Sequence, residues 1–326
     1  MERRIAERRR PARVPGTVAL CALVLAAAAC APGRDFGAED DQRAFEQRLE
    51  RLEREAQRGD VEALLELAGR HREGVGVPLD VARAVRLYAE AADLGSADAQ
   101  FALGLLYENG DGVPASPRRA AEMYALAARQ GDVRAQTNLG LMYATGSGIE
   151  ADGELARTYL GAAAELGHPE GQFAFGTLLV EGHGGPADVA AGMAQVAAAA
   201  EQGLAPAQRA LAIACAKGLG VPADRALARE WLGRAADQGD AAAELLLANA
   251  LLESEDAAEH ARAAALLESA AEKGLTEAMF NLAVLYVRGR GVPKDVDRAR
   301  AWLERAAGLG HEASADRLER LASDPG

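Results

Sequence analysis

Apolar residues recur along this chain in pairs of helical segments. In residues 97–109 the apolar positions Ala99, Leu103 and Leu106 fall on one side of a helix with 3.6 residues per turn. The next apolar stretch, residues 117–129, has the same spacing. The pattern predicts two helices joined by a short loop.

Glycine follows the second helix of each pair at a nearly constant interval. The positions are Gly59, Gly95, Gly131, Gly167, Gly203, Gly239, Gly274 and Gly310. The interval is 36 residues throughout, except for 35 residues in the sixth unit. Such a period indicates one helix-turn-helix unit repeated seven times over residues 59–310.

The loop inside each unit predicts where its helices end and begin. Most units carry a Gly-x-Gly-Val-Pro loop such as residues 110–114, whose glycines suit the positive φ at a helix C-terminus. A cap residue then opens the second helix. The cap residues are Asp80, Ser116, Asp152, Asp188, Asp224 and Asp295.

A small residue recurs in the middle of the first helix. It is Gly104, Gly140 and Gly176 in three units and alanine in the others. Glycine inside a helix costs up to about 1 kcal/mol relative to alanine. Its recurrence predicts a helix crossing too close for a larger side chain.

Three units depart from the pattern, and the first of them has His71 in the tyrosine slot. The fourth has Leu179 in the tyrosine slot, Gly185 in place of the loop valine and Gly192 in its second helix. The sixth lacks both loop glycines, and residues 253–260 predict a shorter, more helical connection.

The unit A-x-x-x-L-G-x-x-Y-x-x-G-x-G-V-x-x-D-x-x-x-A resembles the Sel1-like repeat, a relative of the tetratricopeptide repeat. The resemblance implies an all-α fold, an α/α solenoid in which about seven 36-residue repeats form a right-handed superhelix with terminal capping helices. It also implies an adaptor that binds a protein or peptide partner, often in the bacterial envelope.

The chain begins with a secretion pattern. Residues 1–13 hold six arginines, and the apolar run of residues 16–29 is too short to span a bilayer as a helix. The LAAAAC sequence ending at Cys30 resembles a lipoprotein lipobox, with Ala27 in place of the usual leucine. This implies a signal peptide over residues 1–29, lipidation of Cys30 and, with Ala31 next, an outer-membrane lipoprotein facing the periplasm. Ordinary cleavage after Ala29, giving a soluble periplasmic protein, is the alternative.

The regions outside the repeats complete the predicted organisation. Residues 30–41 mix proline, glycine and charge and predict a flexible tether. Residues 42–58 predict an N-terminal capping helix, and residues 311–326 a C-terminal capping helix and tail.

Composition narrows the classes of function. The formal net charge is −13, and without residues 1–29 there are 30 basic and 47 acidic residues. This balance argues against nucleic acid as a partner. Cys215 is the only cysteine after residue 30, so the repeats contain no disulfide framework.

Catalytic signals are weak in this sequence. The five histidines have no zinc-site spacing, Cys215 stands in a tyrosine slot, and there is no S-x-x-K motif. We therefore expect a non-enzymatic protein without a metal or cofactor. Two alternatives remain: a scaffold of a polysaccharide-secretion or cell-wall complex, and a binder or hydrolase of β-lactams or cell-wall precursors, although the paired cysteines of Sel1 proteins linked to β-lactams are absent.

The outer positions of the first helices are unexpectedly apolar. If they line a concave groove, they predict a peptide-binding surface. The candidates are Phe101, Leu105, Glu108, Leu141, Phe173, Thr177, Arg209, Ile213, Phe280 and Val284. The alternative is packing against neighbouring helices, and full burial of Phe101 and Phe173 would exclude the groove.

Overall fold

The computed structural model describes residues 38–323, and the side chains of residues 43–321. This part of the chain forms sixteen α-helices and no strand, as predicted for an all-α repeat solenoid. The first helices of the repeats are α2 (Val61–Glu73), α4 (Ala97–Asn109), α6 (Val133–Thr145), α8 (Pro169–Glu181), α10 (Ala205–Lys217), α12 (Ala241–Leu251) and α14 (Thr276–Arg288). The second helices are α3 (Val81–Asp93), α5 (Pro117–Arg129), α7 (Gly153–Glu165), α9 (Val189–Glu201), α11 (Arg225–Asp237), α13 (Ala257–Glu272) and α15 (Val296–Gly308). The terminal helices are α1 (Ala38–Ala56) and α16 (Glu312–Ser323).

Each helix packs against the helices directly before and after it in the chain. The core between them consists largely of alanine and leucine, with few aromatic side chains. Small residues allow the close approach of helices, and every repeat completes its core only with its neighbours. The fold is therefore a stack without a single central core.

The predicted helix ends are confirmed. All eight glycines at the repeat ends have positive φ, as do both glycines of each Gly-x-Gly loop. The cap residues accept backbone hydrogen bonds: Asp80 Oδ1 accepts from Arg83 N at 2.8 Å, and Asp188 Oδ1 from Ala191 N at 2.9 Å. Each such cap contributes about 1 kcal/mol to helix stability.

The small slot lies at a close helix crossing, as predicted. A Cβ at Gly104 would lie 2.3 Å from the Tyr124 ring, and one at Gly140 would lie 2.7 Å from Leu160 Cγ. At Gly176 the obstacle is backbone, because the Cβ would lie 2.6 Å from the carbonyl oxygen of Gly192. Gly192 in the second helix of the fourth repeat therefore lies against Gly176 in its first helix, and each would place a Cβ 2.6 Å from the carbonyl oxygen of the other.

The N-terminal helix differs from its predicted bounds. Helix α1 begins at Ala38 rather than residue 42, so residues 38–41 are helical rather than part of a tether. Acidic residue types at positions 39–41 favour a helix N-terminus because the helix dipole is positive there. Leu52 and Ala56 of α1 are buried in the core of the first repeat.

The sixth repeat has the shorter connection that its sequence predicts. Helix α12 ends at Leu251, and α13 begins at Ala257 and is 16 residues long, where the other second helices have 13. Residues 257–260 are therefore helical, whereas residues 253–256 remain in the connection.

Arginines of the preceding repeat contact the fourth and sixth repeats. In the fourth repeat, Gly185 replaces the apolar loop residue, and Arg157 of α7 donates from Nε to the His183 carbonyl at 2.6 Å and from Nη2 to the Pro186 carbonyl at 2.9 Å. In the sixth repeat, Arg229 of α11 donates to the carbonyl of Ala250 in the last turn of α12. Both arginines occupy the fifth position of their helix, but only Arg157 reaches the loop.

Candidate functional site

All ten residues predicted to line a groove lie on first helices. They are Phe101, Leu105 and Glu108 on α4, Leu141 on α6, Phe173 and Thr177 on α8, Arg209 and Ile213 on α10, and Phe280 and Val284 on α14. Glu108 and Leu141 are exposed, and the other eight are half-buried. The full burial of Phe101 and Phe173 that would exclude a groove is not observed. We call the surface formed by these outer positions the first-helix face.

Polar side chains join neighbouring first helices along this face. Arg134 Nη2 of α6 lies 2.5 Å from Asp98 Oδ1 of α4. Asn281 Nδ2 of α14 donates to Asn249 Oδ1 of α12 at 3.1 Å. Since these contacts link successive repeats, the first-helix face continues from one repeat to the next.

The half-buried phenylalanines are held by the adjacent repeat. The guanidinium of Arg134 lies 4.3 Å from the centroid of the Phe101 ring, and the Tyr124 ring lies 5.8 Å away. Burial raises the pKa of Asp132, but hydrogen bonds from the Arg134 side chain and from backbone N–H groups outweigh it and lower that pKa. Arg134 is therefore fixed as a charged group over the ring, a stabilising cation–π arrangement. Phe101 therefore packs against its neighbours and also reaches solvent.

The three polar candidates make contacts within the chain. Glu108 Oε2 accepts from the buried hydroxyl of Tyr124 at 2.6 Å, and burial followed by this hydrogen bond raises the pKa of Tyr124. Thr177 Oγ1 donates to the Phe173 carbonyl at 2.9 Å. Arg209 Nε lies 3.1 Å from Asp240 Oδ2. The apolar side chains of the first-helix face are consequently the ones available to contact a partner.

A cavity of about 320 Å³ opens on this face between α10, α11 and α12. Its apolar lining includes Ile213, Leu232 and Leu246, and its rim includes Lys217 and Arg225. We call it the sixth-repeat pocket. A volume of this size accommodates one or two apolar side chains.

The missing loop of the sixth repeat explains this pocket. In the regular repeats the second loop glycine packs on the start of the preceding second helix: a Cβ at Gly112 would lie 2.7 Å from Val81 Cγ1, and one at Gly148 would lie 2.4 Å from the Pro117 carbonyl carbon. The sixth repeat has no such glycine. At the start of α11, Arg225 instead pairs with Glu253 of the shortened connection at 3.6 Å, and its side chain is 85% exposed.

A second cavity, of about 470 Å³, lies between α14 and α16. It is lined by Phe280, Asn281, Val284, Arg288, Ala313, Asp316, Arg317 and Arg320. We call it the α14–α16 pocket. It lies on the same face, because α16 follows α15 as a first helix would.

Sequence reasoning missed several residues of the two pockets. Leu246 and Asn249 belong to the irregular sixth repeat, and Arg317 and Arg320 belong to the predicted capping helix. The signal was available for Asn249 and Arg320, because each is the ninth residue of its helix, as are the candidates Leu105, Ile213 and Val284.

The cysteine and histidine side chains Cys215, His71 and His168 lie at positions where they support the fold. Cys215 is buried, and burial raises the pKa of its thiol, which disfavours the nucleophilic thiolate. His71 is buried, with Nδ1 3.2 Å from the Pro78 carbonyl oxygen. His168, expected at the surface of a turn, caps α8 by accepting from Gly171 N at 3.4 Å.

The described part of the chain contains neither a metal-binding cluster nor a membrane-spanning helix. Within residues 38–323 no group of three or more His, Cys, Asp or Glu side chains is placed to hold a metal ion. No helix in that range is long and apolar enough to cross a bilayer. Cys30 lies outside it.

Two solved structures share the architecture over most of the chain. A Sel1 repeat protein from Oxalobacter formigenes is 33% identical, with a TM-score of 0.70, over 89% of this chain and 82% of that one. A protective antigen of uropathogenic Escherichia coli with an SLR fold is 30% identical, with a TM-score of 0.76, over 85% of this chain. The chain spans 60% of the length of that antigen. No curated protein matches the sequence.

The repeats also match a family model directly. The Sel1 repeat model matches residues 61–96, 97–132, 133–168, 205–240, 241–275 and 276–311. The unmatched residues 169–204 hold the irregular fourth repeat and still form the helix pair α8 and α9. The matches cover more than half of the sequence, and the chain therefore belongs to the Sel1 repeat family.

Proposed function

We propose that this protein is a non-enzymatic scaffold of the bacterial cell envelope that binds a segment of a protein partner on the first-helix face. Sel1 repeat proteins are generally scaffolds for protein interactions, and the family is typically non-enzymatic. The observation that carries the proposal is the sixth-repeat pocket, where Ile213 and Leu246 line an open apolar cavity on a continuous face. An apolar pocket on such a face suits one side chain of a bound peptide.

Photo-crosslinking in cells tests which face meets the partner. Leu141 on the first-helix face and Leu126 on α5 are matched, with 41% and 39% of their surfaces exposed. With benzoylphenylalanine at position 141 or 249 we expect discrete crosslinked products, because both positions lie on the binding face. At position 126 we expect none. The products are detected by immunoblotting and identified by mass spectrometry.

A pocket-filling variant supplies the second arm of that experiment. Ala216 is exposed and lines the sixth-repeat pocket. Ala216→Trp should fill the cavity and reduce crosslinking at position 249 at least about fivefold, since one buried methylene is worth roughly 0.8 kcal/mol. Equal crosslinking from positions 126 and 141, or no change with Ala216→Trp, would count against the first-helix face as the binding site.

The envelope location rests on the N-terminal sequence. A basic segment, a 14-residue apolar run and Cys30 together match a lipoprotein leader. We propose that Cys30 carries a lipid that holds the repeats at the periplasmic side of the outer membrane.

Replacement of Cys30 separates lipid anchoring from simple secretion. Cys30→Ala should move the protein from the membrane fraction to the soluble periplasmic fraction, because the remaining apolar run is too short to anchor it. Cys21→Ala, a matched change inside the leader, should leave it with the membranes. Fractionation followed by immunoblotting measures both variants, and membrane retention of Cys30→Ala would refute the anchor.

A further inference from the structure

The α14–α16 pocket is basic, although the protein as a whole is acidic. Residues 30–326 carry an excess of 17 acidic over basic side chains, yet this cavity is lined by three arginines and one aspartate. The arginines are Arg288 at the end of α14 and Arg317 and Arg320 on α16. A basic cavity on an acidic protein favours an anionic group as its ligand.

The sixth-repeat pocket also has three basic residues and one carboxylate in its lining. Two of those basic residues already have acidic partners, because Arg225 pairs with Glu253 and Arg229 with Glu259.

Arg317 has no acidic partner among residues 43–321. Its side chain is half-buried, and its Nε atom is buried without a hydrogen-bond acceptor in the described part of the chain. Across residues 43–321, no ion pair includes Arg288 or Arg317. A buried donor without an acceptor is unfavourable, because it has lost its hydrogen bond to water and gained none in return. A ligand bound in the cavity would supply the hydrogen-bond acceptor that the Arg317 guanidinium lacks.

The floor of the same pocket is apolar. Phe280 and Val284 are half-buried and line the cavity, and the Phe280 ring is steadied by the His311 ring, with centroids 5.5 Å apart. A ligand that contacts both the apolar side chains and the arginines of this pocket must carry an apolar side chain next to a carboxylate. Arginine is well suited to this task, because its planar fork can bind a carboxylate through two parallel hydrogen bonds.

We propose that the α14–α16 pocket binds an acidic segment of a peptide, with carboxylates on Arg288, Arg317 and Arg320 and a neighbouring apolar side chain on Phe280 and Val284. This deepens the proposed function by stating the chemistry of the partner at one end of the first-helix face. An acidic protein of this charge would repel nucleic acid at longer range, so a short acidic peptide fits the pocket better than a polyanion.

Fluorescence anisotropy on the full chain in mild detergent tests the proposal with three labelled peptides. The first alternates glutamate with leucine and phenylalanine, the second has glutamine in place of glutamate, and the third has glutamate with serine in place of the apolar residues. We expect the first to bind at least about tenfold more tightly than either of the others, because each charge-assisted hydrogen bond is roughly twice as strong as a neutral one. Equal binding of the first and second peptides would overturn the carboxylate site, and equal binding of the first and third would overturn the role of the apolar floor.

Arginine variants locate the effect. Arg317→Gln and Arg288→Gln should each weaken the first peptide about fivefold to tenfold, and the difference should shrink at high salt. Arg300→Gln, an exposed arginine on the second helix α15, is the matched control and should change nothing. Thermal unfolding monitored by circular dichroism checks that all three variants are folded, and folded Arg317→Gln with unchanged affinity would overturn the assignment.

The experiment also separates this inference from the proposed function. Binding of the glutamine peptide that is as tight as the acidic one and is lost in Ala216→Trp would leave peptide binding intact and remove only the carboxylate site. No binding of any of the peptides at 1 mM, together with no crosslinking at positions 141 and 249, would overturn both.

Discussion

Gly176→Ala should lower the free energy of unfolding by about 1–2 kcal/mol, although alanine is the better helix former. The added Cβ would lie 2.6 Å from the carbonyl oxygen of Gly192 and 3.0 Å from Val196 Cγ2. A side chain can change its rotamer to avoid a clash, but a backbone oxygen cannot. Helices α8 and α9 must therefore move apart, and their close packing is lost. Overpacking of this kind typically costs 1–3 kcal/mol, and the gain in helix propensity of about 0.5–1 kcal/mol is too small to offset the upper part of that range.

The matched control is Gly233→Ala. Gly233 also lies in the middle of a helix, α11, but a Cβ there would meet no atom within 4 Å. The same substitution should therefore stabilise the protein by about 0.5–1 kcal/mol through helix propensity alone. Opposite signs in urea unfolding followed by circular dichroism are the expected result. A stabilised Gly176→Ala variant would show that the crossing in the fourth repeat is not closely packed.

The position of Gly176 in the array adds a second observable. The fourth repeat lies in the middle of the seven, and each repeat is stabilised by its neighbours. If the middle repeat is weakened, the two halves of the solenoid should uncouple and unfold in separate steps. We expect a broader or two-step urea transition for Gly176→Ala and a single sharper transition for Gly233→Ala.

Lys273→Ala is expected to destabilise the sixth repeat by about 1–3 kcal/mol. Glu244 is 4% exposed, and its Oε1 lies 2.6 Å from Lys273 Nζ and accepts from Ser269 Oγ at 2.8 Å. Loss of the lysine leaves a buried carboxylate whose remaining hydrogen bond is to a hydroxyl. Removal of one partner of a fully buried ion pair costs about 3–5 kcal/mol, and the partial exposure of Lys273 lowers that figure.

Two other repeats have a neutral glutamine pair at the positions of Glu244 and Lys273. At the equivalent positions, Gln130 donates to Gln100 at 2.8 Å, and Gln238 donates to Gln208 at 2.8 Å. The double variant with Glu244→Gln and Lys273→Gln should therefore recover most of the stability lost in Lys273→Ala, because it restores a neutral amide pair in the same geometry. A double variant as unstable as Lys273→Ala in urea unfolding would contradict this view of the pair.

The candidate surface could be predicted from the sequence better than its chemistry. The outer positions of regular repeats identified Leu141, Ile213 and Phe280 on one face, because helical spacing alone decides which side of a helix a residue occupies. The same spacing could not show that Glu108 accepts from Tyr124, because that contact joins two helices across a crossing. The spacing also did not predict the sixth-repeat pocket. This pocket lies where the sixth repeat has no loop glycine to pack on the start of α11.

Local sequence determined the repeat itself. The glycines with positive φ, the Asp and Ser caps and the apolar spacing each act within a few residues, and repetition every 36 residues made them visible without a structure. The tertiary structure alone decided how one repeat meets the next: Arg157 on the loop at Gly185, Lys273 on Glu244, and Arg317 and Arg320 in the same pocket as Phe280. These contacts join residues about 28 to 40 positions apart, and their geometry depends on how neighbouring helices cross. A repeating pattern specifies that stacked helices share a core, but where the pattern is interrupted, only the packing of neighbouring repeats determines whether the gap is filled or becomes a pocket.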